Sequence, residues 1–521
     1  MKTPFLRKFR IFFSALVFIG FFLVFVDFKN LLPAKYINIL LSLQFIPSIL
    51  KFFDLKTIIA AGFIAVVVLT LFTGRTYCSF LCPLGIGQDI FSRIGGRIRK
   101  KFRRYGYKKP FTVVRYTLLL LTIIVSLIWG VYMLTLLDPY SIFGRSMTFF
   151  ISPAVAILNN LLEGILAKFD IYSLIHVPVV TYKPFVYIVP ALFALLIGGL
   201  SLTKGRHYCN MICPVGTLLG LLSKISLLRI RIDEEKCTRC GRCAIGCKSS
   251  CIDFLKYDVD VSRCVDCFNC IKTCPDKAIS YSIFRLKRKN INTDTDPERR
   301  KFVAGAVLMF LGIPSALKGQ EKKAIQSTKE STVKENKTCP VCPPGAISIE
   351  DFQKNCTACS LCISNCPTGA LQPAWLEYGI AGIMQPVMDY HKGFCNYNCT
   401  KCIDICPTNA LHPLLLEAKK LTQLGQVHFI KDNCVVKNEK TACGACSESC
   451  PTKAVYMVPY EGDLVIPETN PEICIGCGQC EFSCPTTPFK AIFVDGNPVH
   501  QVAKKPVTTE LEITIPEEFP F

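Results

Sequence analysis

The sequence predicts an α-helical membrane domain of four spans followed by small, cysteine-rich α+β modules. Three observations carry this reading. Long apolar runs crowd the first 205 of the 521 residues and then thin out. Thirty-one cysteines recur at short, regular spacings. A formal charge of +21 is concentrated beside the apolar runs.

The spans come first. Ile11–Phe28, Ile58–Phe72, Val113–Leu137 and Phe185–Leu202 are each near the length that crosses a hydrocarbon core of ~30 Å. Lys2, Arg7, Lys8 and Arg10 precede the first, and no small-residue cleavage site follows it, unlike a signal peptide. From Arg97 to Lys109 there are eight basic residues and no acid, whereas residues 138–183 hold three of each. The positive-inside rule therefore puts both ends of the four-helix unit in the cytoplasm, with residues 138–183 outside. Basic charge between two spans is flanking charge, and no nucleic-acid role is expected. Ile37–Phe53 is apolar but ambiguous, an interfacial helix or a fifth span.

A repeat lies at the span ends. Gly74-Arg75-Thr76-Tyr77-Cys78-Ser79-Phe80-Leu81-Cys82-Pro83-Leu84-Gly85 matches Gly205-Arg206-His207-Tyr208-Cys209-Asn210-Met211-Ile212-Cys213-Pro214-Val215-Gly216 at seven of twelve positions. The membrane unit then reads as two copies of a two-helix element. Cysteines four apart share one face of a helical turn. Cys78, Cys82, Cys209 and Cys213 are candidates for an extra redox or metal site, for redox disulfides, or for simple packing.

The second repeat is stronger. Cys-x2-Cys-x2-Cys-x3-Cys occurs at Cys237, Cys240, Cys243, Cys247; at Cys264, Cys267, Cys270, Cys274; at Cys356, Cys359, Cys362, Cys366; and at Cys474, Cys477, Cys480, Cys484. Cys395, Cys399, Cys402, Cys406 and Cys434, Cys443, Cys446, Cys450 widen the first gap. Three cysteines two residues apart wrap three corners of a [4Fe-4S] cubane, and the fourth ligates the neighbouring cluster in two-cluster proteins. Proline follows the fourth cysteine in five of the six runs, Lys248 being the exception. Zinc sites also begin with Cys-x2-Cys, but the later offsets and the proline favour iron–sulfur clusters.

Pairing neighbouring runs gives six ligand sets. They are Cys237, Cys240, Cys243 with Cys274; Cys264, Cys267, Cys270 with Cys247; Cys356, Cys359, Cys362 with Cys406; Cys395, Cys399, Cys402 with Cys366; Cys434, Cys443, Cys446 with Cys484; and Cys474, Cys477, Cys480 with Cys450. About six clusters follow, with a seventh at the membrane face if the four membrane cysteines ligate. An oxidised cluster with its thiolates carries about −2, so six would lower the net charge to roughly +9. Cys251 leaves open which thiol closes its cluster. Cys339 and Cys342 read as ordinary thiols or a disulfide.

The chain divides into a membrane domain (1–229), a dicluster module (230–284), a connector (285–338) and a four-cluster domain (339–521). Within the connector, Glu298-Arg299-Arg300-Lys301 precedes sixteen mostly apolar residues, 302–317, which resembles a twin-arginine export signal. No Cys-x2-Cys-His haem motif occurs, none of the six histidines lies in the four spans, and no Gly-x-Gly-x-x-Gly precedes a helix. No catalytic residue or substrate pocket is indicated.

The Gly-Arg-x-Tyr-Cys-x3-Cys-Pro pair with a following dicluster module resembles the membrane ferredoxin subunit of periplasmic nitrate reductase systems. It is also similar to polyferredoxins of nitrous oxide reductase and methylamine dehydrogenase clusters. This likeness covers roughly residues 1–290. From Arg299 onward, with Pro343-Pro344-Gly345 before the first run, the chain resembles the twin-arginine-exported periplasmic ferredoxin partner of those systems, so two proteins would be fused. The resemblance implies a bacterial inner-membrane, quinol-dehydrogenase-type component. It would pass electrons from quinol or a cytoplasmic donor to a periplasmic reductase, with the first module cytoplasmic and the C-terminal domain periplasmic. The alternative is an assembly factor for a copper or other metalloenzyme.

Overall fold

A long apolar run with no proline past its first turn makes Thr3–Val26 one continuous helix of 24 residues, Gly20 included. The computed structural model describes residues 3–28, 31–55, 62–98, 105–283 and 333–505, which belong to one compact unit. Arg299, Arg300 and the apolar stretch 302–317 lie outside the described residues.

Among the described residues three helices are long and apolar enough to cross a membrane: Phe5–Val26, Pro139–Ala167 and Pro184–Lys204. The first and third overlap the expected spans at 11–28 and 185–202. The second does not. It falls in the stretch expected as an external loop, whose balanced charge disguised an apolar helix. Asp138 caps it, its Oδ2 accepting from the Ser141 backbone N at 2.8 Å. Asn160, one of its polar residues, exchanges hydrogen bonds of 2.8 and 2.9 Å with the Val177 backbone.

The run expected as one span at 113–137 is broken. Helix Thr112–Trp129 stops at Gly130, whose φ of 74° suits glycine, and the short helix Tyr132–Leu137 follows. The second expected span is described from Gly62 as helix Gly62–Thr73. The ambiguous stretch near 37–53 is a pair, Ala34–Ser42 and Phe45–Asp54, bent by 103°.

The two cysteine-rich parts sit at opposite ends of the long helices. At the start of Phe5–Val26, Arg7 Nε donates to Asn269 Oδ1 at 3.2 Å. At its other end, the Val24 carbonyl accepts from Asn365 Nδ2 at 3.2 Å. In Pro184–Lys204, Phe185 packs on Trp375 with ring centroids 5.2 Å apart. Just beyond the far end, the Arg206 backbone N donates to the Lys248 carbonyl at 3.0 Å.

Both soluble parts are built from very small elements. In the first, Leu228–Ile232 pairs antiparallel with Ile279–Ile283, placing buried Ile230 opposite Tyr281. A second antiparallel pair, Ile252–Asp253 with Asp258–Val259, and helices Arg242–Ile245 and Asn269–Thr273 pack with it. The C-terminal part has three two-stranded antiparallel sheets, the longest pairing Thr422–Phe429 with Ile492–Val502. Two-stranded sheets are marginal alone. Their cores are filled by cysteines, including Cys434, Cys450, Cys474 and Cys480 in one and Cys243, Cys247, Cys264 and Cys270 in another. What those thiols bind is therefore part of what holds the fold together.

Candidate metal centres

The four strictly spaced runs share one backbone conformation. In each, the residue before the second cysteine and the residue after it have positive φ: Arg239 and Gly241 (56° and 69°), Asp266 and Phe268 (47° and 57°), Ala358 and Ser360 (49° and 60°), Gly476 and Gly478 (69° and 72°). Alternating handedness of this kind turns successive backbone N–H groups toward one point and makes a cradle for an anion. In the last loop Gly476 N donates to Cys474 Sγ at 3.4 Å.

The structure brings cysteines from separate runs together. Cys356, Cys359, Cys362 and Cys406 line one small cavity. Cys366, Cys395, Cys399 and Cys402 line a second. Cys434, Cys443, Cys446 and Cys484 line a third. Cys480 lies within electrostatic reach of Cys474, Cys477 and Cys450, and Cys270 within reach of Cys264, Cys267 and Cys247. Cys243 interacts with Cys237 and Cys240, while Cys274 packs at the edge of the same core. Four converging thiols in a dry recess suit a [4Fe-4S] cluster by donor type and number. Burial pushes the Cys474 thiol up to about 11 and those of Cys446 and Cys477 up to about 12. Ligation must displace those protons.

Cys251 is a fifth thiol at one of these sites. Its Sγ lies 3.5 Å from Cys247 Sγ, and it also reaches Cys264. Cys342 is fully buried, with its Sγ 3.2 Å from Tyr378 Oη, and Cys339 is half-buried; both are free thiols.

The four membrane cysteines also converge. Cys78, Cys82, Cys209 and Cys213 are each at most 4% exposed, and Cys213 lies within electrostatic reach of the other three. The short helices Tyr77–Phe80 and His207–Met211 hold the first cysteine of each pair. Prolines 83 and 214 then start new helices, and Gly85 N and Gly216 N donate to Cys82 Sγ and Cys213 Sγ at 3.4 and 3.3 Å. The two motifs clasp each other: Arg206 Nη1 donates to the Cys78 carbonyl at 2.7 Å, and Arg75 Nη2 to the Cys209 carbonyl at 3.1 Å. The glycines are required by this approach. A Cβ on Gly85 would lie 2.6 Å from Arg206 Nη1, and one on Gly216 would lie 2.9 Å from Arg75 Nη2.

Charge at this site fits an anionic occupant. Arg75 and Arg206 are fully buried, and Arg75 Nε and Arg206 Nη2 have no hydrogen-bond partner among the described residues. Asp89 is met by Arg10 at 2.8 Å, Arg206 at 2.9 Å and Lys248 at 3.3 Å. That neighbourhood holds more buried cations than carboxylates. A four-thiolate cluster of about −2 would offset the excess.

One continuous core includes Cys78, Cys82, Cys209 and Cys213, with Cys359 of the C-terminal part within it and Cys267 of the first module packed against it. Tyr77, Tyr140, Phe143 and Tyr208 belong to the same core. The sequence reading named the cysteines but missed Arg75, Arg206 and Asp89 as partners. The signal for the arginines was present, since both stand at identical positions of the repeat.

Comparison with known proteins shows what the chain is similar to. A 4Fe-4S binding domain matches residues 55–102 and 186–233, the stretches that hold the membrane cysteines. A 4Fe-4S dicluster domain matches residues 355–410 and 441–487. YccM of Escherichia coli (strain K12) is 26% identical over 191 residues, covering 36% of this chain and 44% of its own. The ferredoxin-type protein NapH of the same organism is 26% identical over 185 residues, 34% of this chain and 50% of its own. The methylamine utilization ferredoxin-type protein MauN of Paracoccus denitrificans (strain Pd 1222) is 24% identical over 180 residues, 34% of this chain and 49% of its own. The chain thus spans about half the length of these relatives. No solved structure matches. With 4Fe-4S domain matches in both the apolar and the C-terminal parts, the chain is an iron–sulfur protein similar to membrane-type ferredoxin proteins such as NapH.

Proposed function

We propose that this iron–sulfur electron-transfer protein carries electrons from one side of a bacterial inner membrane to the other. The donor is quinol or a protein at the first module, and the acceptor is a periplasmic reductase at the C-terminal domain. The reading rests on one observation. A single core runs from Cys267 through the four membrane cysteines to Cys359, and two long apolar helices have the first module at one end and the C-terminal part at the other.

Six sets of four cysteines hold clusters in this reading, paired as the run spacing requires, and the four membrane cysteines hold a seventh. Bound clusters supply one-electron oxidation and reduction. The polypeptide does the rest. Cysteine loops with left-handed residues aim N–H groups at the sulfurs, Arg75 and Arg206 neutralise the membrane site, and the apolar core keeps water out of the path. Cys247 reaches Cys270 and serves as a ligand, while Cys251 touches Cys247 and Cys264 and serves as a thiol donor. The segment 285–338 carries the C-terminal domain across, with Arg299 and Arg300 as its export signal.

Purified protein reconstituted in vesicles tests this. A membrane-impermeant reductant outside should reduce an electron acceptor trapped inside, and only when the protein is present. Reduction confined to acceptors on the reductant's own side would contradict the reading.

A further inference from the structure

In the C-terminal domain every fourth cysteine is followed by Pro-Thr: Cys366-Pro367-Thr368, Cys406-Pro407-Thr408, Cys450-Pro451-Thr452 and Cys484-Pro485-Thr486. The structure turns each threonine hydroxyl back toward its cysteine. The Oγ1–Sγ distances are 3.6 Å at Thr368, 3.8 Å at Thr408, 3.7 Å at Thr452 and 3.2 Å at Thr486. A thiolate bound to iron has no proton to give, so the hydroxyl must be the donor.

The four hydroxyls are not equivalent, because each has one proton. Thr486 Oγ1 accepts from Ala491 N at 2.9 Å, and Thr408 Oγ1 accepts from Ala410 N at 3.4 Å. Both bonds use an oxygen lone pair and leave the proton for sulfur. Thr452 has Cys450 as its only side-chain partner among the described residues. Thr368 differs: its proton goes to the Phe394 carbonyl at 2.6 Å. At that site a buried ammonium, Lys419, interacts with Cys395 instead.

The first module lacks this arrangement. Cys274 is followed by Pro275-Asp276, and the Asp276 carboxylate accepts from Thr238 Oγ1 at 2.6 Å. Cys247 is followed by Lys248-Ser249, and Ser249 Oγ has no hydrogen-bond partner among the described residues. The Cys247 sulfur accepts instead from the Cys251 thiol and from the backbone N–H groups of Ser249, Ser250 and Cys251, with no side-chain hydroxyl among them. Hydrogen bonds to ligand sulfur stabilise the more negative, reduced cluster and raise its potential.

We propose that Thr408, Thr452 and Thr486 are potential-setting residues. Their hydroxyls make the clusters closed by Cys406, Cys450 and Cys484 easier to reduce. This rests on the ligand sets assigned above and adds what tunes three of those clusters.

The test is an anaerobic potentiometric titration of the full-length protein followed by EPR, with iron and sulfide counted on every sample. Thr486→Val should move one component to more negative potential at full iron content. Thr408→Val and Thr452→Val should each move another, and Thr→Ser at any of the three should keep the wild-type value. Thr368→Val should move its component least. Where a valine variant loses iron, the smaller Thr→Ala substitution gives the reading. Unmoved potentials at full iron content, or an equal shift in Thr368→Val, would overturn the proposal and leave the ligand sets standing. Wild-type protein without iron would instead sink the ligand sets themselves.

Discussion

Arg206 reaches across from the second membrane motif to donate from Nη1 to the carbonyl of Cys78 in the first, at 2.7 Å. Arg75 returns the contact to Cys209 at 3.1 Å. Each motif thus supplies two thiols and the cation that closes over its partner's cysteine. Neither copy makes the site alone.

This interlock predicts the effect of removing one guanidinium. Arg206→Met should destabilise the fold by less than the about 3–5 kcal/mol of stranding a buried charge, because Arg10 and Lys248 still meet Asp89. Arg75→Met should instead mainly lower iron at the membrane site, since the Arg75 guanidinium contacts Cys78 Sγ and makes no direct ion pair, its backbone N–H being the group that meets Asp266. Lysine will not substitute well in either place, because one ammonium cannot serve a guanidinium's divergent partners. Thermal unfolding in detergent and iron analysis check both statements.

The four membrane cysteines should be separable from the rest. Cys213→Ala is expected to lose about four iron atoms per chain and keep the others. Iron content equal to wild type would assign those thiols to packing.

Gly144 is where the membrane unit meets the C-terminal domain. A Cβ there would lie 2.2 Å from the Cys359 carbonyl oxygen and 2.9 Å from Phe25 Cζ. Backbone cannot yield cheaply at 2.2 Å, so Gly144→Ala should part the two surfaces. Stopped-flow reduction through the first module should then fill the C-terminal clusters more slowly, at unchanged iron content.

Acid should weaken the C-terminal domain before it affects the ion pairs. Burial holds the His500 imidazole down at about 4, from an ordinary value of 6.5, outweighing the opposing backbone hydrogen bond at Ala346. The unfolded chain therefore binds more protons between those values, and stability contributed by neutral His500 falls as pH drops from about 6.5 toward 4. His500→Phe should flatten that part of a pH–stability profile measured by denaturant unfolding.

Much of this organisation was legible in the sequence, for physical reasons. Cysteine spacing is set by the cubane, so Cys356, Cys359, Cys362 and Cys406 could be grouped across a gap of forty-odd residues and are found around one cavity. The left-handed residues of the four strictly spaced loops were visible only where glycine stands, at Gly241, Gly476 and Gly478. At Asp266, Phe268, Ala358 and Ser360 the loop forces the same backbone on residues that do not advertise it. Helix Pro139–Ala167 escaped notice because Arg145, Asn159, Asn160 and Glu163 dilute its apolar pattern, and their partners lie elsewhere in the fold. Arg145, for example, donates to the Thr135 carbonyl at 2.6 Å. Contacts such as Asn365 to Val24 depend on docking across more than three hundred residues, which no local pattern encodes.

The most direct measurement is iron and acid-labile sulfide per chain on full-length protein purified without oxygen. Six soluble-domain cubanes and one at the membrane face predict about 28 of each. Folded protein with zinc in place of iron, or with only a few atoms of either element, would contradict the account.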